Sequence, residues 1–424
     1  MEKNIYTKKE VKLSNYIIDI AAGPFGSNLK VDCFVSKGFP IIDGANLKGI
    51  KVTDNITKFV TEEKARSLHR SIAKKNDVIV TISGNVGQIS YIPSDSKYDE
   101  YLVSQRQFRA TFDTTKVYVP YLIYYFHTKE GQHKILSFAN QTGVPALAQP
   151  LKNFKNIDIQ LPKIEIQKSI ASILEKLDSK IELNRRINEN LEQQVQALFK
   201  SWFVDFVPFK DGKFVDSELG KIPEGWKVGT IGDYCKIRSG FAFKSSWWTD
   251  KGVKVVKIKN ISSSGNLDMN DCSYVNKENT LKAKEFSLKP GDLLIAMTGA
   301  TIGKFCLVPI LKERMYVNQR VGKFFLGENP ILKVPFIYGL LKRENIISQI
   351  INKGQGSAQP NISANDIESI PIILPTKEII SKYNEMVSPY FSLLIKELNE
   401  CDYLANLRDT LLPKLMSGEL KLSE

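Results

Sequence analysis

The sequence predicts an α+β fold in which two similar strand-rich domains are separated by two long helices. Three observations predict it. A heptad seam runs from Ile170 to Trp202, the same register returns 213 residues later, and short strings ahead of the first seam recur in order ahead of the second.

Steps of four and three residues from Ile170 reach Leu174, Leu177, Ile181, Asn184, Asn188, Leu191, Val195, Leu198 and Trp202. All but the two asparagines are apolar, and a period of about 3.5 residues marks a narrow coiled-coil seam rather than a broad core face. Lys176, Glu182, Arg185, Arg186, Glu189 and Glu192 lie between, as a solvated outside requires. From about Glu165 to Phe203 such a helix spans roughly 55–60 Å at ~1.5 Å per residue.

Adding 213 to each position gives Tyr383, Val387, Tyr390, Leu394, Glu397, Cys401, Leu404, Arg408, Leu411 and Leu415, with the polar break again at the fifth place. Each seam follows a Leu-Pro pair, Leu161-Pro162 and Leu374-Pro375. Two stripes in one register behind the same dipeptide point to duplication. Pro389 lies inside the second, where a missing backbone donor and a clash with the preceding turn predict a kink or break.

Ahead of the first helix, strand-like runs at Phe39–Asp43, Asp77–Ile82 and Gln88–Ile92 alternate with turn residues such as Gly23-Pro24 and Ser83-Gly-Asn85. Helical patches fall at Glu62–Leu68 and Pro120–Phe138, the latter opening on a proline suited to a helix start. After the helix, Pro208, Gly212, Gly220, Pro223 and Gly225 read as a connector. From Trp226 the first unit begins again. Gly23–Ser27 answers Gly240–Ser245, Pro40–Asn46 answers Lys254–Asn260, and Asp77–Gly84 answers Asp292–Gly299. Ser104-Gln-Arg106 answers Asn318-Gln-Arg320, and Gly143–Ala146 answers Gly356–Gln359. A unit this long is no solenoid repeat. The boundaries are 1–162 for the first domain, 163–206 for the first helix, 207–375 for connector and second domain, and 376–420 for the second helix.

At 424 residues the chain is too long for one core, and 42% hydrophobic with 25% charged residues is ordinary for a globular protein. Met1–Glu10 is polar and charged and reads as no signal peptide, and no apolar run is long enough to span a membrane. Cys33, Cys235, Cys272, Cys306 and Cys401 are widely spaced, which argues against zinc and a disulfide framework and fits a reducing cytoplasm. The formal charge of +13 fits a polyanion partner, since neutralised phosphates release counterions; an incidental lysine-rich surface is the plainer alternative.

Catalytic patterns are not evident. Thr298–Phe305 lacks the first glycine and the Ser/Thr of a phosphate loop. Gly84-Asn-Val-Gly87 lacks dinucleotide spacing, and no HExxH, GxSxG, paired-carboxylate or Asn-Pro-Pro-Tyr-like string stands out. No catalytic residue, metal ligand or cofactor is assigned. What remains is basic and polar loop chemistry. Lys30, Gln105, Arg106, Lys244, Gln319 and Arg320 are the candidates for duplex contact: lysine meets phosphate, while arginine can bond guanine and glutamine adenine. A Gln-Arg pair present in both copies suits framework or phosphate contact better than copy-specific reading, and both readings stay open. Trp247-Trp248 fits core and surface equally.

Together these features resemble the specificity subunit of a type I restriction-modification system. The resemblance rests on Leu161-Pro162, Lys180–Asn190, Ala197–Phe206, Gly220–Trp226, Gln355–Ser363 and Leu411–Glu419, covers essentially the whole chain, and departs at Gly143–Leu151. It implies two target-recognition domains, each reading half of a split sequence in double-stranded DNA. It implies that the two helices pair as an antiparallel coiled coil through Ile170, Leu174, Leu177, Ile181, Asn184, Leu191 and Leu198 against Tyr383, Val387, Tyr390, Leu394, Leu404 and Leu411. It further implies modification subunits, two of them, that methylate adenine, and restriction subunits that translocate and cleave. The chain itself would be non-catalytic.

Overall fold

The computed structural model describes residues 10–140, 143–262, 265–355 and 360–420. They form two compact units, Met1–Ser179 with Ala405–Glu424, and Lys180–Leu404. Each unit therefore holds one strand-rich domain and a segment of both long helices.

In the first unit, Ile17–Ala22, Gln107–Phe112, Val78–Thr81 and Ile89–Tyr91 form a four-stranded sheet in that order. A five-stranded sheet runs Phe34–Val35, Phe59–Val60, Phe39–Ile42, Glu100–Val103, Ile72–Lys74. Its one parallel pairing sets Ile41 against Leu102. The central strand shows why its sequence is a continuous apolar run. Val78 and Val80 face a core with Phe108, Leu122 and Phe126, while Ile79 faces another with Ile42, Tyr101 and Val103. Alternate side chains point to opposite faces and both faces are covered, so neither tolerates polar residues. Helices at Val119–Phe126, Lys129–Leu136 and Pro150–Lys155 complete the domain.

The second unit repeats this order. Lys236–Ser239, Val321–Phe325, Leu293–Ala296 and Phe305–Leu307 form one sheet; Trp248–Thr249, Ser273–Val275, Val253–Val256 and Met315–Val317 form the other. The single parallel pairing again joins the corresponding strands, with Val255 against Tyr316. Leu293 and Ile295 face one core, Leu294 and Ala296 the other. The connector contains a hairpin, Phe214–Ser217 with Gly220–Pro223.

The long helices span Ile164–Phe203 and Lys377–Ser417. In the first unit Ile170, Ala171 and Leu174 share a core with Leu412, Leu415, Tyr121 and Tyr124. Asp178 accepts from Arg408 at 2.7 Å and from the Tyr124 hydroxyl. In the second unit Asn184 donates to Glu400 at 2.9 Å, and the rings of Phe199 and Tyr383 lie 6.1 Å apart. Within each unit, later residues of one helix meet earlier residues of the other, so the pair is antiparallel.

Of the seam positions, Ile170, Leu174, Ile181, Asn184, Tyr383, Val387 and Leu394 are buried, and Leu177, Leu191, Leu198, Tyr390, Leu404 and Leu411 half-buried. Past Asn188 the inward positions become Val195, Phe199 and Phe203, all buried. A straight helix drifts about 20° per heptad from a 3.5-residue repeat, which turns Phe199 inward in place of Leu198. Gly339 accommodates that ring: a Cβ there would stand 2.1 Å from Phe199 Cδ2.

The second helix continues through Pro389, so of the kink or break its proline predicts the break does not occur. Proline removes the amide that would bond the carbonyl four residues earlier. Here the Ser388 hydroxyl donates to that carbonyl, of Glu385, at 3.3 Å.

Candidate nucleic-acid interface

The strand Glu100–Val103 ends in a turn through Gln105 and Arg106, closed by the Gln107 amide donating to Ser104 O at 3.1 Å. The second copy closes the same turn through Gln319 and Arg320 with Val321 N to Asn318 O at 2.9 Å. The main-chain frame around the two turns is the same. Ile82 N donates to Arg106 O at 2.7 Å, Leu147 N to Ile82 O at 2.8 Å, and Gly84 N to Pro145 O at 2.9 Å. Met297 N donates to Arg320 O at 3.1 Å, Ile362 N to Met297 O at 3.0 Å, and Gly299 N to Pro360 O at 2.9 Å.

These bonds equate Pro145 with Pro360, two residues off the pairing of Gly143–Ala146 with Gly356–Gln359; residues 356–359 lie outside the described residues. A glycine lies against each turn. A Cβ on Gly23 would sit 1.9 Å from Ser104 O, and one on Gly240 2.5 Å from Asn318 O. No other residue permits that approach.

Gln105, Arg106, Gln319 and Arg320 are all exposed. Each pair edges a concavity, of about 520 Å³ in the first domain and about 570 Å³ in the second. The first has a polar floor: Gln107 Nε2 lies 3.4 Å from Thr81 Oγ1, which donates to Gln88 Oε1 at 3.1 Å, while Gln88 Nε2 reaches Gly44 O at 3.2 Å. The second is lined instead by Ser239, Met297, Thr298, Asn361 and Ser363. Thr298 Oγ1 is buried there with no partner among the described residues.

Lys30 and Lys244 are exposed and stand at matching places, each just before a one-turn helix, Val31–Cys33 or Ser245–Trp247. Leu29 and Val31, on either side of Lys30, line the first concavity. Lys244 does not line the second; its ammonium lies 5.5 Å from the Trp247 ring centroid. Trp247 and Trp248 are half-buried against Phe243, Val255 and Tyr316, and Lys257 Nζ is 3.5 Å from the Trp248 centroid. They thus serve core and surface at once.

Behind each turn lies a buried ion pair that sequence reasoning missed. Lys323 meets Asp292 at 2.7 Å, and Arg109 lies 4.0 Å from Asp77 and 2.6 Å from Asp19. Burial pushes both Asp77 and Asp292 carboxyls above the usual range, against the pull of their cationic neighbours. The repeated Asp before each central strand carried the signal; the change from arginine to lysine hid its partner.

In the second domain burial pushes the Cys306 and Cys235 thiols up to about 12 and that of Cys272 to about 11, away from thiolate reactivity. Among the described residues no group of three or more His, Cys, Asp or Glu could hold a metal ion, and no helix is long and apolar enough to cross a membrane.

Two copies of one domain, each presenting a Gln-Arg turn on a conserved frame and each packed on paired helices, define a tandem recognition protein. The chain belongs to the type I restriction modification DNA specificity domain family, whose model matches residues 26–193 and 223–400. It is 28% identical over 374 residues to the type I restriction enzyme MjaIX specificity subunit of Methanocaldococcus jannaschii, covering 86% of this chain and 82% of that one. It is 24% identical over 418 residues to the HindI specificity subunit of Haemophilus influenzae, covering 82% and 87%. Its fold matches the crystal structure of the type I restriction-modification S subunit from M. genitalium with a TM-score of 0.61 and 15% identity, over 100% of this chain and 99% of that one. The chain is thus a DNA-specificity component of a restriction-modification system and not its catalytic part.

Proposed function

We propose that each domain binds one half of a bipartite duplex site through its Gln-Arg turn, with Lys30 and Lys244 on flanking phosphates. The observation that carries this reading is the recurrence of one exposed turn, on one main-chain frame, at the edge of a concavity in both domains. The residues around the turns differ, as two different half-sites require. Arginine and glutamine offer bidentate donors to guanine and adenine edges, and lysine a point charge to phosphate. The domains are assigned to 1–162 and 207–375, the spacer helices to 163–206 and 376–420. The helices act as a ruler: half-sites one turn apart lie about 34–36 Å apart along the duplex, within the length of a 40-residue helix. Two modification subunits dock on the helices, whose surfaces expose Leu183, Met386, Leu393 and Tyr403, and restriction subunits join them in the cytoplasm.

Methylome sequencing of cells carrying the chain with its modification partner tests this. Arg106→Ala is expected to relax one half-site and Arg320→Ala the other. A change in both halves from either substitution, or in neither from both, overturns the assignment.

A further inference from the structure

The loops that lie on the two turns differ in length. Five residues separate Gly23 from Leu29, and two separate Gly240 from Phe243. Those end points match, since Leu29 and Phe243 are each 7% exposed and each precedes the lysine of its one-turn helix. The three additional residues of the first loop put Phe25 in solvent at 83% exposure, the highest of the large apolar side chains.

Phe25 has specific neighbours. The next residue, Gly26, lies against the turn, where a Cβ would meet Gln105 Oε1 at 2.9 Å. Val31, 79% exposed, lines the concavity beside Lys30. On the far side of the turn Val144 is 75% exposed, next to the Pro145 carbonyl that holds Gly84, and a Cβ on Gly84 would lie 3.9 Å from Arg106 Nη1. Exposed apolar side chains thus stand on segments to both sides of a turn that carries one glutamine and one cation, with Lys30 beside Val31. Among the described residues neither Lys30 nor Arg106 has an ion-pair partner. Matching Lys30 with Lys244 corrects the pairing of Gly23–Ser27 with Gly240–Ser245: Ser245 takes the place of Val31, and of the rings in the second loop Phe241 is half-buried and Phe243 buried, so none is exposed as Phe25 is.

We infer that Phe25 is a wedge that enters the base stack of the half-site read by the first domain, adding to that half a preference for an easily unstacked step that the second half lacks. A lone exposed apolar side chain is ordinary on a protein surface. What points to an occupant is the place of Phe25 beside the Gln-Arg turn, with two cations that have no ion-pair partner among the described residues, which fits a polyanion whose interior is stacked rings. Apolar side chains used this way partly unstack one step and kink the duplex, and pyrimidine–purine steps yield most readily. Lys30 and Arg106 call for an anionic partner, and duplex DNA joins that charge to a stack of rings that Phe25 can enter. The inference rests on the reading of the domains as DNA-binding.

The experiment uses the full chain assembled with its modification partner. A random-sequence duplex pool yields the preferred site, and Arg106→Ala identifies the half belonging to the first domain. Phe25→Ala, Phe25→Leu and the unaltered chain are then compared on that site carrying 2-aminopurine at successive steps of each half. With Phe25 exposed, the substitutions leave the thermal midpoint unchanged, which is checked first. The unaltered chain is expected to raise 2-aminopurine emission at one pyrimidine–purine step of the first half. Phe25→Ala is expected to abolish the rise and weaken binding roughly tenfold, as loss of an aromatic–base contact does, and Phe25→Leu to retain part of both. Emission unaffected by Phe25→Ala, or affinity within about twofold, overturns the wedge while leaving DNA reading intact. An effect of replacing thymine by uracil without any emission change assigns Phe25 to a methyl contact and also overturns it. Failure of the unaltered chain to select any site removes the underlying reading instead.

Discussion

Lys323 and Asp292 lie 2.7 Å apart inside the second domain, at 7% and 3% side-chain exposure, and Arg109 and Asp77 hold the corresponding places in the first. Lys323 also donates to Ser287 O at 2.7 Å, and Asp292 accepts from Lys289 N at 2.8 Å. Both partners belong to one sheet, Lys323 on the strand Val321–Phe325 and Asp292 just ahead of its neighbour Leu293–Ala296, while the Ser287 carbonyl adjoins the other sheet through its bridge to Tyr316.

Removing one partner strands a charge in the interior, whereas removing both does not. Lys323→Met is expected to cost roughly 3 kcal/mol or more, and Lys323→Met with Asp292→Leu much less. Urea unfolding of the two variants compares them directly; equal losses would mean that the pair contributes nothing beyond packing.

Asn184 and Asn188 are buried in the helix pair, and their Oδ1 atoms, like Glu397 Oε2, have no hydrogen-bond partner among the described residues. Buried polar atoms in a helix seam cost stability and can fix register. Asn184→Leu with Asn188→Leu is therefore expected to raise the melting temperature and to broaden the distribution of assembled species. Unchanged assembly and spacer preference, seen by size exclusion and methylome sequencing, would refute the register role.

One heptad added to each long helix lengthens the pair by about 10.5 Å at ~1.5 Å per residue, close to three base pairs at ~3.4 Å each. The preferred spacer between half-sites is expected to grow accordingly. Full activity at the original spacer would sink the ruler.

Burial pushes the His127 imidazole below its ordinary value in the first domain; the Ile89 carbonyl 2.9 Å from Nε2 opposes this, Arg408 adds to it, and Asp178 opposes it. An unfolded histidine titrates near ~6.5. Below that pH the unfolded chain binds a proton that the folded chain refuses, so this stabilisation is full above the unfolded value and is lost as pH falls toward the folded one. The midpoint of first-domain unfolding is expected to drop from pH 7 to pH 5, and to drop less in His127→Gln. Parallel pH profiles for the two proteins would exclude His127 as the cause.

The duplicated plan could be read in advance because period and repetition survive divergence. The seam from Ile170 to Leu191 and its copy from Tyr383 are constrained by solvent on one side and packing on the other, and the runs at Val78 and Leu293 by packing on both. Three features were hidden for physical reasons. The drift from Leu198 to Phe199 depends on helix twist rather than on the spacing of apolar letters. Continuity through Pro389 depends on a hydroxyl that stands in for an amide. The equivalence of Pro145 and Pro360 depends on main-chain bonds, which leave no mark on side-chain identity. In the candidate interface, Gln105, Arg106, Gln319 and Arg320 were visible as a repeated pair, but Phe25 was not, because a residue present in only one copy carries no repetition.

Both Gln-Arg turns are clasped by amide–carbonyl bonds, from Ile82, Gly84 and Leu147 in one domain and Met297, Gly299 and Ile362 in the other, with the Ser104 hydroxyl also accepting from Arg106 N in the first. Such a clasp is indifferent to the side chains it displays. Mutation can therefore rewrite what either head recognises without touching what folds it, and a head grafted from a relative would find the same anchor points waiting. New target sequences are open to this architecture by exchange of surface chemistry, with no redesign of the molecule beneath.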